Sequence, residues 1–499
     1  MELLGVDSSL LTTTLDEMIH SKDVITSQIP DSVLDISSAM EQKEEMKDSD
    51  SVAIYLPPFF FSEMGTAKRL ITLFASPATP LAVQMESLQR ATGIEYDDIQ
   101  QQAISTALLN KVVVITGGPG PGKTTTTLGI ITAFRTAGLR ILLAAPTGRA
   151  AKRLSEATGL EAKTIHRLLE FKPPEGYKRN EENPLEGDVL IIDECSMVDV
   201  ILMYSLLRAI PDGMRVIFVG DVDQLPSVGA GNVLRDIISS GVFPVVRLTR
   251  IFRQAASSRI ITNAHRINKG EMPDLSNSRG TDFLFQAVEE PEKAAGLITS
   301  LVRDRLPRYY HISPSAIQVL TPMQRGVVGA TNLNQLLQEA INPRVVHGNG
   351  QDDDQAGLRR GGVEYRAGDK VMQIRNNYDK EVFNGDIGVV KAVDLEEREL
   401  SVQFDDRIIK YDASELDEIV LAYATTIHKA QGSEYPIVVM PVMMTHYVML
   451  QRNLIYTGIT RAKKGLVLVG RKKAIWVAVN NLKVEKRNTL LAERLKGTI

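Results

Sequence analysis

The sequence predicts an α/β protein with two open sheets, an inserted β-hairpin, an inserted small β-barrel and a small, mainly helical N-terminal region. Three observations predict it. Lys111 to Thr127, KVVVITGGPGPGKTTTT, runs from an apolar strand through a glycine-rich loop into a helix. Apolar strands ending in polar loops recur from Arg140, Asp188 and Arg215, and the pattern restarts at Ile317 and Leu421. Between Val363 and Leu416 it gives way to short alternating strands, with Asn384-Gly385 as a hairpin signal.

The glycine-rich loop carries the most chemistry. Gly117 to Thr124 fits the phosphate-binding spacing G-x-x-x-x-G-K-[ST]. Gly118, Pro119, Gly120, Pro121 and Gly122 form the expected cradle, with the backbone N–H groups supplied by its glycines; Pro121, like any proline, has no N–H to give. Lys123 supplies a point charge at the helix N-terminus, Thr124 a hydroxyl for Mg²⁺, and Thr125 follows in the first turn. ATP and Mg²⁺ are therefore the expected ligands.

The 499 residues allow about three or four domains. Hydrophobic residues make up 43% of the chain, enough for sizeable cores. A net charge of −4 excludes a polycation, so nucleic acid would be bound in a local groove. A single cysteine, Cys195, excludes an intrachain disulfide and a cysteine-rich zinc site. No apolar run approaches the roughly 20 residues that cross a bilayer, and no signal peptide is evident. The expectation is a soluble, cytoplasmic, monomeric protein without a membrane partner.

Residues 1–84 carry no catalytic signature and read as a helical or winged-helix-like module, or equally as a spacer, with an N-terminus that looks shortened. SVAIYLPPFF reads as a strand stopped by Pro57 and Pro58. A first sheet domain is expected over 85–250. It opens on an amphipathic helix, YDDIQQQAISTALLN, whose Gln100 amide can read an adenine edge; taken alone, Gln100 reads equally as a solvated glutamine. Pro146, Thr147 and Arg149 follow the Arg140 strand, at the edge where ligands gather, and suit phosphate contacts along a nucleic-acid strand. An ordinary strand-to-helix turn accounts for them as well. His166 lies nearby, and 172–187 reads as a hairpin insertion. DVLIIDECSM ends a strand in Asp193, a candidate Mg²⁺ ligand, and Glu194, a candidate general base. Asp221 and Gln224 after the next strand could sense the γ-phosphate, and Arg247, Arg250 and Arg253 are finger candidates or surface charges.

A second sheet domain is expected over 251–344 and 417–499, interrupted by the small barrel at 345–416. Thr321 and Asn332 flank its first strand–helix unit; Thr426, His428 and Glu434 fall between two later apolar runs, and Arg461 precedes the last strand.

The blocks QQQAI, GGPGPGKTT, APTGRAAKR, TIHRLL, IIDECSM, GDVDQLPSVGAG, IFRQ, TPMQRG, YATTIHKAQGSE and YTGITRAKK, in this order, closely resemble the RecD-like helicases of superfamily 1. The resemblance runs from about Asp97 to Gly470. It implies two RecA-like P-loop domains with ATP in the cleft between them, and identifies the hairpin with the family's strand-separating pin. It also implies roles: Gln100 on adenine, the loop residues with Lys123 and Thr124 on phosphates, Asp193 on Mg²⁺ and Glu194 as general base. Gln224 would couple ATP state to DNA grip, Arg253 and Arg461 would be fingers, and Glu434 would lie near the ribose. Pro146, Thr147, Arg149, Thr321, Thr426 and His428 would line the single-strand path. The family usually has threonine where this chain has Pro121. The implied activity is ATP-driven 5′-to-3′ movement on single-stranded DNA and unwinding of forked duplexes, with repair proteins as partners. An RNA helicase, or an ATP-gated subunit that does not unwind, stays open.

Overall fold

A computed structural model describes residues 7–29, 52–250, 257–344, 357–377, 379–481 and 487–497. Arg253 therefore lies outside the described residues.

The first sheet has six parallel strands: β1 (Val112–Thr116), β2 (Ile141–Ala145), β3 (Ala162–Thr164), β4 (Val189–Ile192), β5 (Arg215–Gly220) and β6 (Val245–Arg247). Their order is β6-β1-β5-β4-β2-β3. All five residues of β1 and all four of β4 are buried. Runs of β-branched residues without alternation are what a strand covered on both faces requires. Because every strand points the same way, the loops after β1, β2, β4 and β5 emerge at one edge.

The chain then lays down β7 (Phe283–Ala287) and β8 (Ile317–Thr321) and leaves for the insertion. This consists of β9 (Lys370–Gln373), β10 (Ile387–Asp394), β11 (Glu399–Phe404), β12 (Arg407–Asp412) and β13 (Ile419–Leu421). These form an antiparallel sheet in the order β12-β11-β10-β9-β13. The insertion thus runs to Leu421, beyond the expected limit of 416, because β13 pairs with β9. The second parallel sheet resumes with β14 (Ala424–Thr426), β15 (Tyr435–Val442) and β16 (Ala462–Gly470), in the order β7-β16-β15-β8-β14. Val371, Val390, Val402 and Tyr411 of the insertion share one core with Val319, Val439 and Val467 of this sheet. It is welded on by side chains, not tethered.

Three expected boundaries move. The helix Pro57–Ala75 starts where the sequence reading stopped a strand: Val52–Tyr55 is the strand, and Pro57 opens the helix, where its missing N–H costs nothing. Ala67, Leu70 and Leu73 of this helix enter the core of the first sheet beside Val112 and Leu206, so that domain begins before residue 85. At the other end, Leu491 and Leu495 of the helix Leu491–Lys496 join the same core. Residues 487–497 therefore pack on the first domain, not on the second, where the sequence reading put them. The two terminal segments are tied by Glu63 and Arg494, both almost fully buried and 2.9 Å apart; Tyr55 and Thr489 donate to the same carboxylate. The hairpin is shorter than expected: only Phe171–Lys172 and Gly176–Tyr177 pair.

Candidate nucleotide site and interdomain cleft

The loop after β1 is built as its glycines demand. Gly120 and Gly122 have φ of 88° and 79°, values a side chain rarely tolerates. Gly122 caps the helix Lys123–Thr136. The Lys123 ammonium donates to the carbonyls of Gly117 at 2.5 Å and Gly118 at 2.8 Å. Thr124 stands exposed in the helix's first turn. Pro121 is buried, and its carbonyl accepts from the Gln100 amide at 3.5 Å. The Gln100 oxygen is taken by the Asp97 N–H in a capping box. Gln100 therefore braces the loop from behind and does not reach the cavity wall.

A cavity of about 450 Å³ lies between the two sheet domains, lined by Gly118, Pro119, Gly120, Gly122, Lys123, Thr124, Thr125, Asp193, Glu194 and Gln224 from the first and Glu434 and Arg461 from the second. Loss of solvent pushes the Asp193 carboxyl up to about 6, with Glu194 pushing the same way and Arg153 opposing. Burial pushes Glu194 up as well, but Arg153 and then Arg461 outweigh it and hold it below its ordinary value. Glu194 sits at φ 53°, a left-handed conformation uncommon outside glycine. Arg461 falls in the turn between the helix Arg452–Ile459 and β16. It is buried, donates to the Ser433 carbonyl at 3.2 Å, and keeps its Nε without a partner.

These features fit a nucleotide with a divalent cation. The raised Asp193 carboxyl is the group a cation would ionise, the positive-φ glycines form a cradle, and Arg461 lines the same cavity from the other domain. No cluster of three or more His, Cys, Asp or Glu residues suited to a metal ion occurs among the described residues.

The cleft is bridged beside this cavity. Asp221 accepts from the Gln224 amide at 3.0 Å and from the Tyr456 hydroxyl of the second domain at 2.8 Å. The Leu225 N–H donates to Thr457 at 2.9 Å, the Gln431 amide to the Leu225 carbonyl at 2.9 Å, and His265 to the Pro119 carbonyl at 3.1 Å. Gln224 thus lies in the main seam between the domains.

The expected nucleic-acid residues divide. Pro146 and Thr147 are half-exposed at the edge after β2, where the Thr147 hydroxyl caps the helix Gly148–Thr158. Arg149 is spent across the cleft, donating to Ser433 at 2.8 Å and to the Tyr435 hydroxyl at 3.2 Å. Thr321 is fully buried and donates to the Val328 carbonyl, so it holds its own loop and cannot face a strand. Asn332 likewise donates to the Val327 carbonyl. Thr426 and His428 are half-exposed at the end of β14, where the Thr426 hydroxyl receives the Lys429 N–H. His166 packs with Phe171 and Tyr177 at the foot of the hairpin, and burial lowers its pKa; it stiffens the hairpin and leaves the edge after β2 to Thr147. Glu434 lines the cavity, but its carboxylate is held by Arg153 at 3.1 Å and Lys463 at 3.0 Å, which takes it from the expected ribose contact.

Arg153, Tyr456, His265 and Lys463 were missed from the sequence. Arg153 had a usable signal: it lies four residues after Arg149, on the same helix face.

Comparison with known proteins matches residues 100–230 to the AAA domain family, 333–404 to the ATP-dependent RecD-like DNA helicase SH3 domain, and 421–469 to the UvrD-like helicase C-terminal domain. The RecBCD enzyme subunit RecD of Mycobacterium tuberculosis is 30% identical over 487 residues, which cover 90% of this chain and 81% of that protein. The chain belongs to the RecD-like helicases of superfamily 1. Another RecD-like relative, the ATP-dependent RecD2 DNA helicase of Deinococcus radiodurans, is 38% identical over 445 residues, or 89% of this chain. This RecD-like chain spans 59% of that relative's length. Among solved structures, a Pif1 helicase from Bacteroides in complex with ADP-AlF3 and ssDNA aligns over 78% of the chain and 92% of its own, at 21% identity and a TM-score of 0.43. No described helix is long and apolar enough to cross a membrane.

Proposed function

We propose that this chain is an ATP-driven motor that moves 5′ to 3′ along single-stranded DNA and unwinds forked duplexes. The observation that carries the reading is the convergence of Lys123, Asp193, Glu194 and, from the other domain, Arg461 on one cavity. The ATP-dependent helicase named among its relatives supports it.

Asp193 and the Thr124 hydroxyl would hold a magnesium ion, which when bound screens the charge of the terminal phosphates. Lys123 would exchange its two loop carbonyls for phosphate oxygens. Glu194 would orient the attacking water and accept its proton. Arg461, which lines the cavity and is held by Ser433, would offer its guanidinium to the charge that develops in transfer. Gln224 and Asp221 would pass the resulting change to Tyr456 and so to the second domain. The exposed rim around Thr147, Thr426 and His428 would grip the strand, and the Phe171–Tyr177 hairpin would part the duplex. A monomeric, cytoplasmic protein working with repair proteins is part of the same reading.

The test is ATP hydrolysis with and without single-stranded DNA, beside unwinding of 5′-tailed DNA, 3′-tailed DNA and RNA duplexes. Hydrolysis stimulated by the strand, with unwinding of the 5′-tailed DNA only, is expected. Lys123→Ala should lower turnover by roughly 100-fold or more. Unwinding that survives this substitution would sink the reading; preference for RNA would redirect it.

A further inference from the structure

The helix Gly148–Thr158 touches both functions of the molecule. At its N-terminal end stand Thr147 and Arg149, on the edge after β2. One turn along, Arg153 points into the cleft. One guanidinium nitrogen donates to the Glu194 carboxylate at 2.6 Å, and the other lies 3.1 Å from Glu434. Glu434 is in turn shared with Lys463. A chain of opposite charges therefore runs from Glu194 through Arg153 and Glu434 to Lys463, crossing from the first domain to the second.

This arrangement bears on the base. A carboxylate that takes a proton from water needs a lone pair aimed at that water. One oxygen of Glu194 is already taken by a short, charge-assisted hydrogen bond. The left-handed backbone of Glu194, with its N–H on the Asp193 carboxylate at 2.9 Å, leaves the side chain little freedom to swing elsewhere while that bond stands. Arg461 does not compete for Glu194 here, because its guanidinium is directed at Ser433 and Thr460.

We propose that Arg153 is a positioning residue that restrains the general base Glu194 until a strand occupies the edge at Thr147. This inference rests on the motor reading above. A strand on the helix N-terminus bears on the element that carries Arg153. A small rotation of that element would draw the guanidinium from Glu194 toward Glu434, freeing the base only when the track is loaded. Wasteful hydrolysis off the track is thereby suppressed.

The experiment measures kcat and KM for ATP, with and without saturating oligothymidylate, in the parent chain, Arg153→Ala and Arg153→Lys. Thermal melting checks folding. If Arg153 restrains the base, Arg153→Ala raises DNA-free kcat by up to about tenfold and lowers the stimulation ratio by the same factor. Arg153→Lys, which keeps the charge, restores much of the ratio. If both rates fall together at an unchanged ratio, or only KM moves, Arg153 is structural or binds nucleotide and the inference is overturned. Should Arg153→Ala fail to fold, Arg153→Gln, which keeps the bulk and removes the charge, takes its place: a ratio equal to the parent's overturns the inference, and a reduced ratio with a raised DNA-free kcat supports it. A parent chain without hydrolysis on any strand would instead overturn the motor reading and this inference with it.

Discussion

At the scale of single residues, the least ordinary chemistry lies at the seam of the two terminal segments. Burial pushes the Asp236 carboxyl up to about 7; Glu63 and Glu493 push the same way, and the Thr489 hydroxyl opposes. The unfolded chain ionises near 3.8. An acid whose folded pKa is raised carries no penalty below its unfolded pKa, and stability is lost as pH rises toward the folded one. The window here runs from about 4 to about 7. Asp236→Asn keeps an acceptor for Thr489 and removes the titration. It should therefore stabilise the protein increasingly across that window, by at most about 4 kcal/mol, in urea unfolding at stepped pH. A gain that does not grow with pH would refute this account. None of it was legible in the sequence, where Asp236 is one acid of many and its neighbours Glu63 and Thr489 are remote. That Lys123, Asp193 and Glu194 line one cavity was legible because loop spacing and strand ends place them at one sheet edge. Thr321 was misjudged for a related reason: a strand end gives the edge, but not whether the side chain turns toward its own loop.

At the scale of elements, the helix Pro57–Ala75 acts as a structural member of the first sheet domain. Leu70 and Leu73 are completely buried against that core, and the Arg69 side chain donates to the Leu207 carbonyl at 3.2 Å. Leu70→Ala should cost about 2–5 kcal/mol, read as an earlier denaturant midpoint, and should speed hydrogen exchange in β1 before β8. Equal acceleration in both sheets would show the domains unfolding as one unit. Alternating strands, parallel strands and the phosphate loop could be identified from period and composition. The docking of this helix could not, because an amphipathic pattern names a buried face without naming what covers it. The insertion was recognised by its change of period, but its last strand was lost because Ile419–Leu421 is only three residues long and runs straight on toward β14.

At the scale of the whole molecule, a net charge of −4 must coexist with the proposed grip on a polyanion. The affinity for single-stranded DNA should fall roughly tenfold or more between 50 and 200 mM salt, measured by fluorescence anisotropy, if several phosphates are contacted through local cations. A flat salt response would assign binding to stacking alone. The two sheet domains were foreseeable from the order of the motifs; which domain claims the end of the chain was not, since the helix Leu491–Lys496 could have covered either sheet. Its actual place has a mechanical consequence. The backbone enters the second domain after Arg250 and has returned to the first by Arg487, so both described terminal segments anchor on the same body, clasped through Glu63 and Arg494. Tension applied between those segments closes its circuit through the clasp. A tether or fused cargo at either segment would then load the first domain and leave the second slack.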